Sequence, residues 1–326
     1  MSPVRPGEHP AGRGPRTAPF GSAGPSRSRN GVVTLRDRTA QTGDMTVSPT
    51  VRRRRLAAEL RRLRAAREVT QQQAAQHLGC TQAKIGRFET AKRTPTVRDV
   101  TALLEFYGVD GAARQQLLEL TREARTRGWW QSYSDVLPEW YENYIGLEAE
   151  ATAIETYEPD AVPGLLQTEE YAHAITEATL IDAAERDVRR RAELRLRRQQ
   201  RLTGDEPLRL WAVIGEAALR RRAGGPRVLR EQLAHLLRMA EHEHITLQVM
   251  PLDTDAHPAQ VGPFVMLRYA GAADPDVVYV ESHVGGWSLE RENELSNYQA
   301  MMDHLRAHAA DPEESSRVIQ ARIGEL

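Results

Sequence analysis

A block of cations sits near one end of this chain. Between residues 51 and 93 lie 12 Lys and Arg residues against Glu59, Glu68 and Glu89, a net +9. The 50 residues before it carry +4 and the residues after it −14, so the overall charge of −1 hides the block. A short cationic segment joined to a longer acidic body suggests one polyanion-binding module and one domain with another task. The residue types that could instead do catalysis do not converge. His242 and His244 flank Glu243, with His235 upstream, but two His at i, i+2 leave a helix on different faces and no H-E-x-x-H pattern occurs. Ser282-His283 lies near Asp274 and Asp276 without a G-x-S-x-G turn. There is no P-loop and no dinucleotide fingerprint. The single cysteine, Cys80, excludes an internal disulfide framework and a multi-cysteine zinc site. No enzymatic activity, metal or cofactor is therefore expected.

The elements that would position the cations can be read around them. Residues 52–67 form a predicted helix with Leu56, Leu60 and Leu63 on one face. Residues 70–91, TQQQAAQHLGCTQAKIGRFETA, contain two more helices. Thr70 and Gln73 make a T-x-x-Q capping box for the first, and Gly79 suits the left-handed turn that ends it. Thr81 caps the second, from about Gln82 to Ala91. A helix-turn-helix requires a small residue where the helices cross, here Ala75, and apolar anchors inside the second helix, here Ile85 and Phe88. Caps, turn and anchors agree together, which is more specific than any one of them. A fourth helix follows Thr94-Pro95-Thr96 and a fifth spans roughly 111–126.

The remainder is mixed. Residues 1–50, rich in Pro, Gly, Ser and Arg without apolar period, read as a disordered extension; alternatively, Met45 is the natural start. Eight of the chain's 18 aromatic residues fall between 129 and 171. Trp129, Trp130, Trp140, Tyr141 and Tyr144 form a candidate partner or ligand surface, or else pack the junction between helical domain and body. An Arg-rich helix covers about 183–203, and it reads either as a solvated face or as a second surface for a DNA backbone or an acidic partner. Strands are predicted at 208–214, 245–250, 264–269 and 277–281, with helices at 226–242, 290–308 and 312–323. No stretch of about 18 apolar residues exists, so no membrane contact is expected. The fold class is α+β, with a disordered extension at 1–50, a five-helix all-α domain at 51–127 and a larger mixed α/β domain at 128–326.

Residues 52–108 resemble the XRE, lambda-repressor-like family of helix-turn-helix regulators. That resemblance implies that the second motif helix lies in the major groove of double-stranded DNA. By position it implies base reading by Gln82, Ala83, Lys84 and Arg87, and phosphate contacts by Gln71, Thr81, Lys92 and Arg93. It also implies a structural ion pair between Arg64 and Glu89. Gly86 stands where many relatives carry a larger polar residue, and Ala91 replaces a common Gly. The run GWWQSYSDVLPEWYENYIGLEAEATAIETYEPDAVPGLLQTEEYA, with VMPLDTDAHPAQVGPFVMLRY and VVYVES, resembles actinobacterial regulators of the WhiJ type and their antitoxin-like relatives. This implies a cytoplasmic, nucleoid-associated transcription factor, a homodimer on a pseudo-palindromic operator. Its C-terminal domain would be controlled by a ligand or by a small protein encoded nearby. The alternative is an antitoxin that neutralises such a protein and autoregulates its operon.

Overall fold

A computed structural model describes residues 48–271 and 274–326. The expected extension up to residue 47, and the question of Met45, lie outside the described residues. Five helices come first: α1 (Pro49–Ala66), α2 (Gln71–Leu78), α3 (Gln82–Glu89), α4 (Val97–Phe106) and α5 (Gly111–Glu123). The Thr70–Gln73 capping box forms, and Gly79 closes α2 at φ 62°, a conformation that a side chain disfavours. Thr81 accepts from the backbone N–H of Lys84, fixing the start of α3. Leu56 and Leu60 of α1, Ala74 and Ala75 of α2, and Ile85 and Phe88 of α3 share one core with Val100, Leu103 and Leu104 of α4. The helix-turn-helix angle is thus set by packing on both flanks of the turn.

The larger domain continues with α6 (Glu139–Glu148), β1 (Ala153–Glu158), α7 (Glu169–Thr179), α8 (Glu185–Gln199), β2 (Arg209–Gly215), α9 (Glu216–Arg220), α10 (Pro226–Ala240) and β3 (Ile245–Met250). β4 (Phe264–Arg268), β5 (Val277–Ser282), β6 (Gly285–Leu289), α11 (Glu292–His308) and α12 (Pro312–Gly324) complete it. The six strands form one mixed sheet in the order β3-β2-β1-β4-β5-β6. β1, β2 and β3 are parallel, and β4 runs antiparallel to β1. β4, β5 and β6 are joined antiparallel. Alternation divides the strands between two cores. On one face Ile154, Leu210, Ile214, Leu247 and Tyr279 pack with residues of α6, α8, α10 and α12; on the other Tyr157, Val213, Phe264 and Val278 meet Met302 and Leu305 of α11. The overall class is α+β, as expected.

Two strands are absent from the sequence reading: β1, which is central, and β6. In the segment EPDAVPGLLQT, Leu165 and Leu166 are buried in the core of the larger domain. α1 begins at Pro49, inside the segment read as an extension, and its first turn contributes Val51 to the core of the larger domain.

Candidate functional site

The amphipathic sequence of α3 determines what it offers outward. Ile85 and Phe88 are 1% exposed, which turns the opposite face to solvent. Thr81, Gln82, Ala83 and Arg87 lie on that exposed face, and Lys92 and Arg93 are exposed in the turn beyond it. The Arg87 side chain leans back on its own helix, its Nε donating to the Ala83 carbonyl at 3.3 Å. Together these groups make a short exposed row of amide and cationic donors at the N-terminal end of a helix and just past its end.

The base of the row is tied down by charge. Arg64 donates to both Glu89 oxygens, at 2.6 and 3.0 Å, and to the Val69 carbonyl at 2.7 Å. The Glu89 hydrogen bonds hold the guanidinium above its ordinary pKa against the opposing effect of burial. Glu89 is buried, so this pair locks α3 to α1. Gln71 is drawn into the same network, its Nε2 donating to Glu89 at 2.9 Å. The residue expected on phosphate is therefore engaged inside the protein.

Lys84 also departs from expectation. Its ammonium meets Asp99 at 3.1 Å and lies over the Phe88 ring, so the side chain points to α4 and not to open solvent. Asp99 is already fixed in place as the N3 partner of Thr96 in the capping box of α4. Burial works against its charge, but the Thr96 N–H, the Lys84 ammonium and the Thr96 hydroxyl together keep its carboxyl below the usual range.

The basic block is not uniformly available either. Arg52 pairs with Glu123 and Glu150, at 3.3 and 3.4 Å. Arg53 donates to the Ala124 carbonyl, and Arg54 reaches Glu290 at 3.1 Å and the Pro275 carbonyl at 3.3 Å. Three cations of the block thus fasten α1 to α5 and to the larger domain. The same joint contains Gly146 of α6, where an added Cβ would collide with the Thr50 side chain. Ser48, the cap of α1, donates to the Gly146 carbonyl.

The aromatic segment divides in two. Trp130 is buried at the joint, and Trp129 is half-buried under the Arg197 guanidinium. Trp140, Tyr141 and Tyr144 line a cavity of about 570 Å³ beside the carboxyl ends of β1 and β5. Behind them Arg198 and Glu148 form a buried pair with both contacts at 2.6 Å. Arg198 also donates to the Tyr141 hydroxyl at 2.7 Å, and Tyr144 donates to Glu148 at 2.8 Å. The Arg-rich helix is likewise split. Arg189 pairs with Glu185 on the solvent side, whereas Arg191, Arg195 and Arg198, at helical spacing, turn to the cavity. Glu158, the last residue of β1, enters the same space. Burial, with repulsion from Glu281, pushes its carboxyl up to about 8, against the attraction of Arg195. Sequence reading missed Glu158, since its strand was not seen; the Arg191, Arg195, Arg198 spacing was its one legible signal.

His242 and His244 lie with ring centroids 5.4 Å apart, and His244 engages the Leu202 carbonyl. Among the described residues, no group of three or more His, Cys, Asp or Glu is placed to hold a metal ion. Nor is any helix of the described residues long and apolar enough to cross a membrane.

Comparison with known proteins agrees with this two-part layout. Residues 55–117 match a family described as a helix-turn-helix domain, and residues 141–321 match a domain of unknown function, DUF5753. No curated protein and no solved structure gives a significant match. Because the second match spans more than half of the chain, this protein belongs to the DUF5753 family, and it carries that domain behind an N-terminal helix-turn-helix domain.

Proposed function

We propose that the chain is a sequence-specific, DNA-binding transcriptional regulator of the XRE kind, acting in the cytoplasm on the chromosome. The reading is carried by α3, which buries Ile85 and Phe88 while exposing Gln82, Ala83 and Arg87 beside Thr81, Lys92 and Arg93. Gln82 reads adenine through its amide, and Ala83 offers a methyl contact. Arg87 faces the groove, where it reaches a base edge or the flanking phosphate, and Lys92, Arg93 and Thr81 hold the phosphates. Gln71 and Lys84 reach DNA only by exchanging Glu89 and Asp99 for phosphate or base. One such module touches few base pairs, so two copies act on a pseudo-palindrome. The C-terminal domain controls the arrangement of the two modules through a ligand or partner protein, and no catalytic step is involved.

In-vitro selection from a random duplex library tests this. The expected result is enrichment of an inverted repeat with half-sites about one helical turn apart. Recovery of unenriched sequence, or binding confined to single strands, overturns the reading.

A further inference from the structure

The cavity beside α8 holds unmatched charge. Among the described residues, neither Arg191 nor Arg195 pairs with a carboxylate. Arg191 donates through Nε to the Val136 carbonyl at 2.7 Å, and Arg195 through Nη1 to Thr176 Oγ1 at 2.7 Å and the Ala172 carbonyl at 3.2 Å. Their other N–H groups have no acceptor among the described residues. Gln167 lines the same cavity at 3% exposure, and its Oε1 is buried without a hydrogen-bond partner. A buried polar atom left open costs about 1–3 kcal/mol, so its persistence points to something that enters. The volume, about 570 Å³, falls within the roughly 300–1,000 Å³ of small-molecule sites. The position, outside the carboxyl ends of β1 and β5, is where open sheets with parallel strands commonly bind ligands.

The sign of the ligand follows from which groups can discharge. Arginine stays cationic even when buried, whereas a carboxyl can take up a proton. Glu158 does so near neutral pH, which turns one acid into a hydrogen-bond donor. Burial also raises the Glu281 carboxyl, against the attraction of Arg198, Arg195 and Arg191. Even with Glu281 ionised, the two fixed cations Arg191 and Arg195 leave the lining net positive. Arg198 is already neutralised by Glu148. Trp140, Tyr141 and Tyr144 supply an aromatic wall.

We propose that this cavity binds a small aromatic carboxylate, with its anion received by Arg191 and Arg195 and its ring against Trp140, Tyr141 and Tyr144. Protonated Glu158 adds a donor to the polar lining, while the Gln167 Nε2 is held by the Val162 carbonyl and its open Oε1 accepts from a water that enters with the anion. α6 carries the aromatic wall on one side and, at Gly146, touches the first turn of α1 on another. Occupancy of the cavity therefore reaches the helix on which the helix-turn-helix core is built. The regulatory consequence rests on the DNA-binding reading above; binding itself does not.

Titration calorimetry on the full chain with 2-naphthoate, 2-naphthamide and 2-naphthylmethylamine tests the proposal. The acid is expected to bind saturably, at least tenfold more tightly than the amide, with the amine weakest. Arg195→Gln and Arg191→Gln are each expected to weaken the acid tenfold or more while leaving the amide unchanged. Absence of saturable binding by the acid, equal binding of acid and amide, or preference for the amine overturns it. The acid–amide comparison uses the unaltered protein, so a misfolded variant does not blur the result. Duplex binding is measured on the same preparation. Naphthoate binding without duplex binding fails the regulator reading alone, and duplex binding without naphthoate binding fails this one alone.

Discussion

At the scale of single residues, the structure ties function to a few local conflicts. Ala91 ends the turn after α3 at φ 56°, a left-handed conformation that costs an L-residue about 1–2 kcal/mol. Glycine removes that strain but loses more entropy on folding, by roughly 0.5–1 kcal/mol. Ala91→Gly is therefore expected to stabilise the protein by about 0.5–1 kcal/mol in urea denaturation, with unchanged base preference. Glu158 presents the opposite conflict. In the unfolded chain it ionises near 4.3; in the fold, burial and Glu281 raise it to about 8 despite Arg195, with Asp160 adding to the rise. Between those values the folded state holds the extra proton, so stability falls as pH rises through this window and levels off above it. Glu158→Gln is expected to flatten that part of the curve of melting temperature against pH, measured by differential scanning fluorimetry.

At the scale of elements, α3 is held by two charged anchors of different character. Arg64–Glu89 is partly buried and links it to α1, whereas Lys84–Asp99 joins it to the cap of α4. Asp99→Asn keeps a weaker cap but releases Lys84. A loss of up to about 1 kcal/mol of stability is expected. Affinity for all duplexes should rise, and its salt dependence should steepen by about 0.9 in log–log slope for one added phosphate contact. Fluorescence anisotropy across a salt series reads both effects on DNA. The elements of this region were legible because their signals are local: Thr70 with Gln73, Gly79, and the Ile85–Phe88 spacing all lie within a turn or two of the structure they specify. What escaped reading depends on distant partners. Nothing near Arg54 in the chain shows that it meets Glu290. β1 contains Glu155 and Glu158, which argue against a central strand until Arg268 and Arg306 are seen to neutralise Glu155. The cavity was partly visible in its aromatics, but its acids and its depth come from tertiary packing.

At the scale of the whole molecule, α1 belongs to both parts. Its first turn places Val51 in the core of the larger domain, while Leu56 and Leu60 anchor the helix-turn-helix core. Gly146 permits the approach of α6 to that first turn. Gly146→Val is expected to force the two helices apart, lowering stability by about 1–3 kcal/mol through overpacking. A melting curve that loses one cooperative transition for two would mark the uncoupling of the parts. The positive charge read from sequence as one DNA-facing block is, in the folded molecule, divided between this joint and the exposed end of α3. Gln82 is the exposed group there best suited to distinguish one base from another. The most direct measurement is therefore duplex selection performed in parallel with the unaltered protein and Gln82→Ala, followed by anisotropy on the enriched sequence. The substitution is expected to relax preference at one base position in each half-site and to cost about 1–3 kcal/mol on the selected duplex. Identical motifs and identical affinities for the two proteins would contradict the account.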